Sequence, residues 1–201
     1  MKLYYSPGAC SLSPHISLYE SGLTFSAVKA PTKTHLLDDG TDYYSINPLG
    51  YVPLLELADG TRITEGPAIV QYIADQVPQR HLAPPNGTLA RTQMQSWLTF
   101  IGMELHKGFS PLFNPAYPQE VKDLAKERLA QRLAWVDAQL QGKSYLMGDA
   151  FSVADPYLFT VTNWAKPMRV DLSGLPHLLA FRERMAQRPA VQAALKAEGL
   201  A

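Results

Sequence analysis

The stretch Lys2-Leu3-Tyr4-Tyr5-Ser6-Pro7-Gly8-Ala9-Cys10-Ser11-Leu12 decides the fold. Lys2 to Tyr5 suit a short strand, and Ser6-Pro7-Gly8-Ala9 interrupt it. Apolar residues at Leu12, Ile16 and Tyr19 then continue at helical spacing to Gly22, a residue suited to a helix C-cap. Cys10 therefore falls where a loop enters a helix. Phe25 to Ala30 reads as a second strand, and two strands joined through a helix predict a right-handed parallel βαβ unit.

Further along, Pro31 to Gly50 is polar, with only a weak helical hint around Asp42 to Ile46, and reads as a long surface connection. Leu54 to Leu57 and Thr61 to Ile63 flank Asp59-Gly60, which predicts a hairpin with a two-residue turn. Thr64-Glu65-Gly66-Pro67 opens a helix whose buried face is Ala68, Ile69, Tyr72 and Ile73. Pro78, Pro84, Pro85 and Asn86-Gly87 make the next stretch stiff and turn-rich, as a domain connection is. Two domains are expected, 1–80 and 88–201, with 81–87 as linker.

The second domain reads as all-helical. Trp97, Ile101 and Leu105 share one helical stripe, and Leu129, Leu133, Val136 and Leu140 share another. Ser152-Val153-Ala154-Asp155 sets an N-cap hydroxyl three residues before a carboxylate, with Phe151 as the outer residue of a staple, and should start a buried helix. Pro156 makes that start slightly irregular, and Leu175 to Met185 and Ala190 to Leu195 supply two more helices.

With 201 residues, 46% of them hydrophobic, the chain can bury a substantial core. Its net charge of +0 provides no field to attract nucleic acid or an anionic membrane, so neither is expected as a partner. The apolar run at Leu3, Tyr4 and Tyr5 is cut at once by Ser6-Pro7-Gly8, which argues against a secretory signal, and no segment has the apolar length of a membrane helix. A single cysteine excludes an intrachain disulfide and a cysteine-cluster metal site, and fits a reducing, cytoplasmic setting. No metal is expected.

A cysteine at a helix entrance faces unpaired N–H groups and the positive end of the helix dipole, which favour a reactive thiolate; the alternative is a small apolar side chain in packing. Ser13 stands where a dithiol site would carry its second cysteine, so any disulfide at Cys10 needs an external thiol. Val52-Pro53 suits either a cis peptide that offers backbone groups to an extended ligand or an ordinary strand entry. Glu65 at a helix start could receive a ligand's ammonium or simply complement the dipole.

Taken together, Pro7-Gly8-Ala9-Cys10-Ser11-Leu12, Asn47-Pro48 with Gly50-Tyr51-Val52-Pro53, Thr64-Glu65-Gly66, Glu104-Leu105-His106-Lys107-Gly108-Phe109 and Ser152-Val153-Ala154-Asp155 resemble the bacterial beta-class glutathione transferases across both halves of the chain. The resemblance implies an α/β plus all-α architecture: a thioredoxin-like N-terminal domain, then an all-helical domain, usually as a homodimer, with glutathione in the cleft between them. It implies a catalytic role for Cys10 and His106, and a mixed disulfide between Cys10 and the glutathione sulfur. Val52 would pair with the cysteinyl backbone and Pro53 would be cis. Glu65 and Gly66 would hold the γ-glutamyl end. Ala9, Met103, Glu104, His106 and Lys107 complete the implied glutathione site.

Two positions depart from the family pattern. His35 replaces the usual lysine and Thr99 the usual asparagine, so a glycyl carboxylate at His35 meets a side chain only partly charged at neutral pH. The reaction implied is transfer of the glutathione thiolate to a small, apolar electrophile. Tyr5 and Ser11 are alternative hydroxyl donors to the sulfur, while His15 reads as structural. Phe109, Phe113, Tyr117 and Trp164 are candidates for shaping the acceptor pocket. Glutathione-dependent disulfide reduction through Cys10 and noncatalytic carriage of apolar ligands are the other two readings.

Overall fold

The computed structural model describes every residue, Met1–Ala201. Alternation along the first strand, β1 (Lys2–Tyr5), sends Leu3 and Tyr4 to opposite faces, and each seeds its own core. Leu3 packs with Leu18, Leu55, Ile69 and Ile73, whereas Tyr4 packs with Tyr43, Val52 and Leu54. β2 (Ser26–Lys29) runs parallel to β1, with Leu3 opposite Ala27. β3 (Leu54–Glu56) and β4 (Arg62–Ile63) follow antiparallel, giving a mixed sheet of order β2-β1-β3-β4. The expected parallel βαβ unit and thioredoxin-like sheet are present.

One turn differs from expectation. The register pairs Glu56 with Arg62, and Leu57 N–H bonds the Thr61 carbonyl at 2.8 Å, so the loop is the three residues Ala58, Asp59 and Gly60. Gly60 at φ 85 takes the left-handed position that such a loop needs, and Asp59 accepts from Thr61 N–H at 2.9 Å. The polar segment before the hairpin contains one short 3-10 turn, Tyr43–Ser45, capped by the Asp42 carboxylate.

Helix α1 (Leu12–Ser21) ends at Gly22, φ 71, as its spacing predicts. Its buried surface is wider than one stripe: Ser13, His15 and Ser17 are buried with Leu12, Ile16 and Leu18, while Tyr19 is left 38% exposed. The reason is that α1 packs on α2 (Gly66–Asp75) and also on the C-terminal helix α8 (Pro189–Ala197). Arg188 clamps Glu20 from that helix at 2.6 Å.

The chain divides into two compact units, one of Met1–Ala83 with Arg188–Ala201 and one of Pro84–Gln187. The sequence expectation put the C-terminal helix in the helical domain, since local helical spacing says nothing about packing partners. Here its last 14 residues return to the first unit, held by the contacts of α8 with α1.

The second unit is built of α3 (Leu89–Phe100), α4 (Lys107–Phe113), α5 (Gln119–Leu140), α6 (Ala154–Asn163) and α7 (Pro176–Ala186). Leu129, Leu133, Val136 and Leu140 form the buried face of α5. Between α3 and α4 the backbone widens into a π segment, Ile101–His106, with Lys107 N–H bonding the Gly102 carbonyl. Such widened turns are frequent at functional sites. Trp97 leaves the expected stripe and packs with Phe100 and Trp135, while Met94, Leu98, Ile101 and Leu105 carry the core. No helix is long and apolar enough to cross a membrane.

Candidate functional site

In the first unit the site grows from the loop after β1. Ser11 closes it: the hydroxyl accepts from Ser6 N–H at 3.0 Å and donates to the Ser6 carbonyl at 3.2 Å. With its one proton so committed and the residue fully buried, Ser11 is not placed as a donor to a ligand's sulfur. Gly8, φ 71, turns its N–H to the Glu198 carboxylate at 2.9 Å, and the other oxygen of Glu198 meets His15 Nδ1 at 2.8 Å. A buried carboxylate on the C-terminal segment thus ties the Cys10 loop to α1. His15 is structural in this arrangement, and sequence reading had no signal for Glu198.

Cys10 lies at the end of that loop, partly exposed, and its thiol donates to the Val52 carbonyl at 3.1 Å. Val52–Pro53 is a cis peptide. Its position is fixed from behind by Tyr43 and Asn47, whose side chains both bond the Tyr51 carbonyl, at 2.9 and 2.8 Å. Gly66 lies against the Pro53 ring: a Cβ there would meet Pro53 Cγ at 3.7 Å. Cys10, Val52, Pro53 and Gly66 are therefore one cluster, with Ala9 packed against the Tyr4 core beside it.

Glu65 precedes α2 at φ 65 and ψ 109, a conformation that costs a non-glycine residue roughly 1–3 kcal/mol. Its carbonyl accepts the first helical N–H groups, but its exposed side chain makes no capping bond. The carboxylate therefore caps no helical N–H, while its charge still stands at the positive end of the helix dipole. His35 takes φ 53 with its ring on Tyr44, centroids 4.4 Å apart, above Gly50; a Cβ at Gly50 would meet Tyr44 at 2.7 Å and His35 at 2.9 Å. Tyr5 packs against His15 at 5.2 Å in the α1-facing core, and burial raises its pKa, so it behaves as a packing residue.

In the second unit, the π segment carries Met103, Glu104 and His106. Thr99, Met103 and Lys107 are exposed. Glu104 is bound to Arg132 at 2.7 Å and Arg128 at 2.9 Å, whose hydrogen bonds hold its carboxyl below the usual range. Sequence spacing alone did not show these two arginines. His106 Nδ1 lies 2.8 Å from the Tyr157 hydroxyl, and its ring meets the edge of Trp164 at 5.0 Å. Phe109 is buried beside Trp164, whereas Phe113 and Tyr117 are exposed. Tyr157 is the residue the sequence reading missed; its one sequence signal was a tyrosine on the helix that Ser152-Val153-Ala154-Asp155 starts.

Burial, with Lys107 beside it, lowers the His106 pKa from 6.5 to about 4. At neutral pH this imidazole is uncharged and a weak proton acceptor, so hydrogen bonding is the role open to it. The linkage has a definite sign. The unfolded chain binds the proton first, so this group's contribution to stability is constant above about pH 6.5 and is lost as pH falls toward 4. Urea midpoints at pH 7 and pH 5 should therefore drop more in the parent than in His106→Gln; equal drops would contradict the assignment.

Residues 8–76 match the family model "Glutathione S-transferase, N-terminal domain" and residues 100–189 match "Glutathione S-transferase, C-terminal domain". Glutathione S-transferase GstA of Escherichia coli O157:H7 is 48% identical over 200 residues, with 100% of each chain covered. A sphingomonad glutathione S-transferase solved in complex with glutathione is 49% identical, with a TM-score of 0.96 and 100% of each chain covered. The bacterial beta class glutathione S-transferase of Sphingomonas chungbukensis is 48% identical, with the same TM-score of 0.96 and coverage of 100% on both sides. A mixed sheet carrying Cys10 and a cis Pro53, a helical unit carrying His106, and full-length likeness at this level place the chain in the glutathione S-transferase family, in its bacterial beta class.

Proposed function

We propose that the chain is a glutathione transferase that takes up glutathione beside Cys10 and passes its thiolate to a small, apolar electrophile. The carbon–sulfur bond forms as the leaving group departs with its electron pair, and the thiol proton goes to solvent. The observation that carries this reading is the cluster of Cys10, Val52, cis Pro53 and Gly66, with the Glu65 carboxylate at the mouth of α2. In it, Val52 pairs with the cysteinyl backbone of the tripeptide. Ala9 lines the sulfur, Pro53 and Gly66 border the γ-glutamyl group, and Glu65 receives its ammonium.

His35 takes the glycyl carboxylate, and Thr99, Met103, Glu104, His106 and Lys107 are the contributions of the helical unit. The glutathione complex of the sphingomonad relative supports the choice of ligand. A homodimer in the cytoplasm, acting in detoxification, goes with this reading. The lone, partly exposed Cys10 thiol favours a second activity, glutathione-dependent reduction of disulfides, in which Cys10 holds one glutathione as a mixed disulfide and another releases it.

The test is retention on immobilised glutathione together with conjugation of an activated aryl halide. Retention that free glutathione elutes, with turnover that scales with enzyme, is expected. Failure of both would remove the transferase reading, and turnover of hydroxyethyl disulfide alone would promote the second.

A further inference from the structure

The π segment Ile101–His106 presents one contact that the proposed reaction does not by itself explain. Tyr157, on α6 and only 4% exposed, extends its phenol to the widened turn between Gly102 and Lys107. A Cβ on Gly102 would stand in ordinary van der Waals contact with the Tyr157 oxygen, at 3.5 Å, so the phenol reaches the backbone of this turn. On the same turn, His106 Nδ1 sits 2.8 Å from that oxygen. The imidazole is edge-on to Tyr157 at 5.9 Å and to Trp164 at 5.0 Å, which fixes its plane. Its Nε2 is bonded by no protein group and is not among the sealed polar atoms of the core.

We propose that Tyr157 is a positioning residue for His106: its phenol donates to Nδ1, which places the imidazole proton on Nε2 and makes Nε2 a fixed hydrogen-bond donor. The chemistry of the pair selects this direction. A phenol, with a pKa near 10, is a much stronger acid than the N–H of neutral imidazole, and a neutral imidazole nitrogen is the better acceptor. Burial keeps the ring neutral at pH 7, so it has one donor and one acceptor nitrogen to distribute. With Tyr157 at the acceptor, the donor faces outward. His106 then serves a glutathione sulfur by hydrogen bonding rather than by taking its proton, an extension that rests on the proposed function above.

Nitrogen-15 NMR of the labelled parent, with His106→Gln to assign the resonance among 5 histidines, reads the tautomer directly. The Nε2–H form is expected in the parent between pH 6 and 8, and a mixture of tautomers in Tyr157→Phe. An Nδ1–H parent, or an unchanged tautomer in Tyr157→Phe, overturns the proposal. Kinetics supply the second arm. Tyr157→Phe should lower kcat/KM for conjugation about five- to tenfold, and less than about twofold when added to His106→Ala. An equal loss in both backgrounds would make Tyr157 merely structural and also overturns it. If His106→Ala conjugates at the parent rate, the role given to His106 in turnover fails, while the tautomer still decides the assignment of Tyr157.

Discussion

Replacing Asp155 by alanine is expected to destabilise the protein by about 4 kcal/mol, read by equilibrium urea unfolding, and to lower Tm by about 10 °C. The carboxylate is fully buried. One oxygen accepts the Leu146 N–H at 2.9 Å, and the other accepts the Ser152 N–H at 2.7 Å and the Ser152 hydroxyl at 3.1 Å. Alanine would leave two backbone donors and a hydroxyl without a partner in a place water does not reach, and each orphan costs about 1–3 kcal/mol. Ser152 is also affected, since its oxygen faces the Ala154 N–H at 3.4 Å and the carboxylate fixes the direction of its proton.

The damage falls at the head of α6, which is buried from Ala154 through Thr162 and carries Tyr157. Asp155→Asn should lose less, because one oxygen remains to accept, though its amide then faces donors. A loss below about 1 kcal/mol in Asp155→Ala would contradict this account of the helix start.

In Cys10→Ala, the glutathione adduct formed on incubation with oxidised glutathione is expected to vanish from the intact mass, and disulfide reduction to fall by 100-fold or more. The chain has one cysteine, so no other thiol can substitute. The step it performs is an exchange: the Cys10 sulfur attacks one sulfur of the disulfide, a new S–S bond forms, and glutathione thiolate leaves. Conjugation is a different case, because there the bond is made by the glutathione sulfur and Cys10 neither gains nor loses one. Losing a single hydrogen-bonding neighbour costs about 1 kcal/mol, so conjugation should fall by about tenfold at most. Complete loss of conjugation along with the adduct would show that Cys10 also activates the thiol. An adduct that survives the substitution would displace Cys10 from the site altogether.

Local signals account for much of this molecule. The short strand at Lys2 to Tyr5, Gly22 as a stop and the stripe through Leu129 and Leu140 depend on a residue and its near neighbours, and each was legible before any fold was known. The Asp59-Gly60 turn was legible as a turn but not in its length, because the loop length follows from the register of Leu55 with Ile63. The residue types at Cys10, Val52 and Glu65 pointed to a ligand, but the sequence left each with a structural alternative. The fold adds that the Cys10 thiol meets the Val52 carbonyl and that Glu65 makes no capping bond, neither of which a local pattern encodes.

The sequence by itself determined the βαβ unit, the hairpin and helix after it, the helical character of the second half, and that one thiol stands at a helix entrance. Those properties follow from side-chain period and backbone preference, which act within a few residues. Only the tertiary structure decided that Ser11 spends its hydroxyl on Ser6, that Glu198 reaches back 190 residues to Gly8, and that Tyr157 meets His106 across 51. Each is a hydrogen bond imposed by burial. A polar group removed from water must be answered by whatever the packed chain brings within about 3 Å, and no local pattern encodes that partner.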